Sequence, residues 1–162
     1  MKIGIMGTHG TGKSTLALRL AADRKQKYPR ENVGVLTETA RGCPFQINKD
    51  MTLEAQLWIY HAQFKAELEM AARYDTLICD RTVLDNLAYS RYAGFNDLCN
   101  DCLYPALDWF GTYDELYWLR PDKLPADDGF RNTDPEFQKD IDRIFQKWVI
   151  AYHLPVTSPE KI

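Results

Sequence analysis

Two hydrophobic periods take turns along this chain. Short apolar runs at Lys2-Ile3-Gly4-Ile5-Met6, Val33-Gly34-Val35-Leu36-Thr37, Thr76-Leu77-Ile78-Cys79 and Glu115-Leu116-Tyr117-Trp118-Leu119 have the length and bounding turns of buried strands. Helical spacing fills the intervals. The first helix is predicted from Lys13 to Lys27, stopped by Tyr28-Pro29-Arg30-Glu31-Asn32, and a second starts at Met51-Thr52-Leu53-Glu54. In that second helix Leu53, Leu57, Phe64, Leu68 and Ala71, with His61 on the same side, form a stripe expected to face the core. Further helices are predicted over Val83 to Tyr89, over Asp97 to Trp109, and from Pro135 onward, where Phe137, Ile141, Ile144, Phe145, Trp148 and Tyr152 recur at helical spacing and should pack on the sheet. Pro155-Val156-Thr157-Ser158 reads as a short fifth strand. Strands alternating with helices predict an α/β fold of three layers, a central parallel sheet of about five strands covered on both faces. No repeat, linker or low-complexity stretch divides it, so residues 1–162 are expected to form a single domain.

The junction of the first strand and first helix carries the chemistry. Gly7-Thr8-His9-Gly10-Thr11-Gly12-Lys13-Ser14 fits G-x-x-x-x-G-K-[ST] between a strand and a helix, which is the context a phosphate-binding loop needs. Its glycines let the backbone wrap an anion, and the helix N-terminus behind it favours the same charge. Gly7, Thr8, His9, Gly10, Thr11, Gly12, Lys13, Ser14 and Thr15 are therefore the predicted nucleotide-binding residues. Lys13 would reach the β- and γ-phosphates of ATP, and the Ser14 hydroxyl would sit on Mg²⁺.

In a parallel sheet the ligand crevice lies at the carboxyl ends of the strands. Glu38 and Arg41 follow the second strand, and Asp80 and Arg81 follow the third, which makes all four site candidates. Asp80 would hold Mg²⁺ or orient an acceptor hydroxyl, against the plainer reading that it caps the helix after it. Glu38 and Arg41 have the plainer reading of a solvated ion pair. Trp58, Tyr60 and Gln63 are candidates for lining a pocket around a planar base, against membership of the core. The aperiodic segment over about residues 120–133, rich in Asp, Gly and Pro, reads as a lid, with Arg120 and Arg131 at its ends placed to close over ATP. A solvated turn is the alternative. Thr133 or Asp134 is expected to cap the helix that follows, with Pro135 in its first turn.

Composition narrows the partners. Twenty Lys and Arg against 23 Asp and Glu give a net charge of −3 with no long run of one sign, which disfavours broad binding to nucleic acid. No apolar stretch of membrane-spanning length and no secretory leader is evident, so a cytoplasmic location is expected. Cys43, Cys79, Cys99 and Cys102 lack a second pair or suitably spaced histidines for zinc, so free and mostly buried thiols are expected, Cys99 and Cys102 included.

With these motifs in hand the chain resembles the P-loop kinases of nucleosides and nucleotides. It is most similar to the AAA-domain-like P-loop kinase family that includes the ribosylnicotinamide kinase domain of bifunctional NAD-biosynthesis regulators. The resemblance runs from Lys2 to about Tyr152, through Gly7 to Ser14, Thr37-Glu38-Thr39-Ala40-Arg41, Cys79-Asp80-Arg81-Thr82 and Asp127 to Phe137. It implies ATP- and Mg²⁺-dependent transfer of a phosphoryl group to a small nucleoside, nucleotide or related metabolite. In that reading Lys13 and the Gly10 and Gly12 amides hold phosphates, and Ser14 ligates Mg²⁺. Glu38 or Asp80 acts as base, Arg41 and Arg81 bind acceptor or phosphate, and Arg131 is the lid arginine. The family's last helix has no counterpart here, which leaves Thr157 to Lys161 for contact with the adenine. Two other activities fit the same loop: a kinase acting on a DNA end or a modified base, and an NTP-driven switch. The acceptor and the oligomeric state are left open.

Overall fold

The computed structural model describes residues 1–47, 50–121 and 134–157. The elements run β1 (Lys2–Met6), α1 (Lys13–Lys27), β2 (Val33–Leu36), a 3₁₀ turn (Thr39–Gly42), α2 (Leu53–Ala71), β3 (Thr76–Asp80), α3 (Val83–Tyr92), α4 (Asn96–Phe110), β4 (Glu115–Trp118) and α5 (Pro135–Ala151). All strand pairs are parallel, in the order β2-β3-β1-β4.

Burial follows from this order. The two central strands are buried at every position, as their nearly unbroken apolar runs require, whereas the edge strands β2 and β4 are only partly buried. Alternate residues then feed opposite layers. Ile3, Ile5 and Ile78 point to α1, where Leu16 and Ala17 cover them. Met6, Leu77, Cys79 and Leu116 point the other way, into a larger core closed by α3, α4 and α5. β1 and β3 are locked by Lys2↔Leu77 through Ile5↔Asp80, so Asp80 ends level with the start of the phosphate loop.

Two expectations need correction. The described sheet has four strands, not five: of the segment expected as a fifth, Thr157 makes an isolated parallel bridge to Tyr117, and Ser158 lies outside the described residues. The stripe on α2 is also misassigned. Leu53, Leu57 and Leu68 are exposed, while Ala55, Gln56, Ile59, Tyr60, Gln63 and Glu67 are buried. The helix turns a polar face inward because each of those polar groups has a partner there. The helix expected to pack on the sheet, α5, shares a core with it: Phe137, Ile141, Phe145 and Trp148 join Met6, Leu77, Cys79 and Leu116, and the helix also lies against α3.

Candidate active site

The loop Gly7–Ser14 leaves β1 by a turn only glycine tolerates. Gly7 has φ +142°, and a Cβ there would stand 2.3 Å from the Leu119 carbonyl oxygen. Gly12, at φ 85°, is the N-cap of α1 and supplies no side chain to its first turn, so the amides that follow are turned toward an anion. Lys13 is buried and folded onto its own loop, donating to the Gly7 carbonyl at 2.7 Å and the Thr8 carbonyl at 2.5 Å. Burial, with Arg81 nearby, brings its pKa down from 10.5 to about 7, against the pull of Asp85, Asp80 and Glu38.

His9 has a different place from its neighbours. Its amide donates to the Tyr89 hydroxyl at 3.0 Å, its ring Nδ1 is 3.1 Å from the same oxygen, and its carbonyl accepts from Gln138 Nε2 at 2.8 Å. It ties the loop to α3 and α5 and does not turn its amide to the cradle. Asp85 holds the loop's other end: its Oδ1 accepts from the Gly7 amide at 3.2 Å, and its Oδ2 accepts from Thr82 N and Oγ1, both at 2.8 Å. Burial raises the Asp85 pKa, opposed by Arg81, Lys13 and the Thr82 bonds.

Thr82, not Asp80, is the N-cap of α3, which removes the capping role considered for Asp80. Asp80 instead closes β3 with its carboxylate against the Ser14 hydroxyl, Oγ to Oδ2 2.5 Å. A hydroxyl and a carboxylate facing each other beside the loop are hard oxygen donors, and this pair fits Mg²⁺. Among the described residues no group of three His, Cys, Asp or Glu side chains forms a metal site, and all four cysteines are free thiols, Cys79 and Cys99 buried.

Glu38, Arg41 and Arg81 come together as one cluster. Arg81 donates through Nε and Nη2 to Glu38 Oε1 at 2.7 and 2.6 Å, while Arg41 Nε stands 3.3 Å from Oε2. Two cavities meet at the Glu38–Arg81 pair. One, of about 90 Å³, is lined by the loop from Gly10 to Thr15 and by Asp80. The other, of about 60 Å³, is lined by Ile47, Met51, Gln56, Ile59, Asn86 and Tyr89 among others. Gln56 and Asn86 face each other in it, with Asn86 Nδ2 donating to Gln56 Oε1 at 2.8 Å. Asn86 Oδ1, on a residue only 7% exposed, has no hydrogen-bond partner among the described residues.

Of the three pocket candidates on α2, Gln63 lines the second cavity, Tyr60 sits in the core with its hydroxyl on the Cys102 carbonyl, and Trp58 lies beside Gly42. Arg120 is at the end of β4, where it donates to Asp142 Oδ2 at 3.2 and 2.7 Å and stacks 4.9 Å over the Trp118 ring. Arg131, with the rest of the expected lid from residue 122, lies outside the described residues, as do residues 158–161 of the segment considered for adenine contact. Sequence reading missed Asp85, Tyr89, Gln56, Asn86 and Gln138. For Asp85 a signal existed, since Thr82-x-x-Asp85 has the spacing of a helix-start motif.

A sheet of this order with this loop after its central strand defines a P-loop nucleoside and nucleotide kinase-like protein, the architecture of a P-loop phosphotransferase. Residues 2–160 match the AAA domain family profile, and the chain belongs to that family. No curated protein matches it significantly. Among solved structures it is similar to thymidylate kinase from Ehrlichia chaffeensis, at 20% identity over 98% of this chain and 85% of that one, with a TM-score of 0.71. It is also similar to deoxyadenosine kinase from M. mycoides, described with the products dCMP and dCDP, at 19% identity over 98% of this chain and 89% of that one, with a TM-score of 0.65. The same enzyme with bound dATP gives 20% identity and a TM-score of 0.62. At these identities the shared property is the fold. Among the described residues no helix is long and apolar enough to cross a membrane.

Proposed function

We propose that the protein is an ATP-dependent kinase that transfers the γ-phosphoryl group to a small nucleoside, nucleotide or related metabolite. The observation that carries this reading is the meeting of two cavities at Glu38 and Arg81, one walled by the phosphate loop and the other by apolar side chains and two amides. A switch needs only the first cavity. A kinase needs both, with a carboxylate and a guanidinium where donor and acceptor meet.

The roles divide by position. Gly10, Gly12, Lys13, Ser14 and Thr15 hold the phosphates, and Ser14 and Asp80 would hold Mg²⁺, which neutralises phosphate charge when bound. Because Asp80 faces Ser14, the acceptor hydroxyl falls to Glu38, which accepts its proton as the new bond to phosphorus forms. Arg81, beside Glu38, neutralises charge on the transferred group, and Arg41 meets any phosphate the acceptor carries. Arg120 and Arg131 remain candidates for the donor side. In the second cavity the Gln56 and Asn86 amides face the acceptor's base, and Asn86 Oδ1 takes a donor from it. The location is read as cytoplasmic.

The test is MgATP consumption against nucleosides, nucleoside monophosphates and ribosylnicotinamide, with DNA oligonucleotides alongside. Stimulation by one small acceptor is expected. Stimulation by DNA alone, or acceptor-independent hydrolysis, would replace this reading with the nucleic-acid kinase or the switch.

A further inference from the structure

Arg81 adopts φ 102°, a conformation that non-glycine residues avoid unless the surroundings impose it. One side chain joins its backbone to the backbone segment of its ion-pair partner. Gln63, 2% exposed on α2, donates through Nε2 to the Arg81 carbonyl at 3.2 Å, and its Oε1 accepts from Thr39 Oγ1 at 2.9 Å. Thr39 is the residue after Glu38. The amide thus links the two residues whose side chains form the Glu38–Arg81 pair.

Its orientation is set from behind. Gln63 Nε2 also donates to Glu67 Oε1 at 2.9 Å, and a carboxylate offers only acceptors, so the nitrogen must face it. Glu67 is fully buried and accepts three more bonds: Lys2 Nζ at 3.0 Å and Trp109 Nε1 at 2.8 Å on Oε2, and Tyr113 OH at 2.7 Å on Oε1. Lys2 is itself flanked by the Trp109 and Tyr113 rings, 4.4 and 4.2 Å from their centroids. A buried carboxylate held by four donors is rigid because losing any one leaves a desolvated group unpaired.

We propose that Gln63 is a positioning residue that holds Glu38 and Arg81 in their mutual geometry through Thr39 and the Arg81 carbonyl, and that Glu67 fixes it in the orientation this requires. The kinetic consequence rests on the kinase reading; the structural one does not. Both are read in the same variants. Gln63→Leu keeps the volume and removes all three bonds, and Thr39→Val keeps the shape and removes one.

In ligand-free protein labelled with ¹⁵N-arginine the Arg81 Nε–H is expected to give a protected signal, to be assigned by its loss in Arg81→Lys. That signal is expected to shift and exchange faster in Gln63→Leu and, to a lesser degree, in Thr39→Val, and to persist in Thr39→Ser. With the acceptor that stimulates wild-type protein, Gln63→Leu is expected to lower kcat roughly 10- to 100-fold, the scale of an ångström-level misplacement, with the KM for ATP within about two-fold. The double variant should be no slower than Gln63→Leu alone. A wild-type signal in folded Gln63→Leu and Thr39→Val overturns the proposal whatever the kinetics. If Gln63→Leu does not fold, Thr39→Val decides by the same signal. Should the signal respond while wild-type protein phosphorylates no acceptor, the positioning role stands and the kinase reading falls.

Discussion

Along the phosphate loop, consecutive residues do their work with backbone: glycines turn the chain, amides face the anion, and one lysine folds over the carbonyls of Gly7 and Thr8. The second cavity beside it is assembled from side chains of the turn after β2, of α2, of the end of β3 and of α3, residues far apart in sequence. The first is a local object that a short pattern specifies. The second exists only once the sheet has brought its parts together, and its polar groups hold one another in place.

Substitution should separate the two regions. The largest effect belongs to the loop: Lys13→Ala is expected to lower kcat/KM for ATP on the order of 10³-fold with the melting temperature preserved, and wild-type turnover in the folded variant would break the mechanism. Next comes the junction. Glu38→Gln should lower kcat on the order of 10²-fold with MgATP binding unchanged, whereas Asp80→Asn should show as a raised Mg²⁺ requirement. A reversal of those two signatures in a Mg²⁺ titration would exchange their roles. On the acceptor side alone, Asn86→Leu should raise the acceptor KM roughly ten-fold, the scale of one lost buried hydrogen bond, and leave the KM for ATP unmoved.

The smallest effect is a proton. With its pKa lowered to about 7, Lys13 loses its charge through the neutral range, and phosphate binding favours the charged form. MgATP binding near neutral pH should therefore take up a fraction of a proton, measured by calorimetry in buffers of different ionisation enthalpy, and Lys13→Arg should take up none. Affinity is expected to be flat below pH 7 and to weaken above it. Without ligand the sign for stability is opposite. A lysine whose pKa is lowered by folding binds fewer protons than in the unfolded chain between about 7 and 10.5, so its contribution to stability rises with pH across that window.

The same contrast explains what could be read in advance. β1, the loop, α1, β3 and the start of α5 were legible because periodicity, glycine spacing and caps are local signals. That Glu38, Arg41, Asp80 and Arg81 gather beside the loop was legible from one topological rule, that strand ends line the crevice. The inward face of α2 was not. Hydrophobicity assigns Leu53, Leu57 and Leu68 to the interior, but Gln56, Gln63 and Glu67 occupy it because Asn86, Thr39, Lys2, Trp109 and Tyr113 meet them. Tyr89 and Gln138 were missed for the same reason: their bonds to His9 span 80 and 129 residues. The fifth strand was overcounted because, of Pro155-Val156-Thr157-Ser158, the described residues make only a single bridge, Thr157 to Tyr117, too short to count as a strand.

The place of β1 between β3 and β4 has a consequence for how the chain acquires its structure. On the nascent chain β1 has neither neighbour until residues 76–80 and 115–118 have been made, and the loop it carries waits for Asp85 as well. Such late, long-range pairing is slow compared with helix formation. The loop therefore reaches its final form only after residues 115–118 have emerged, long after its own residues were made.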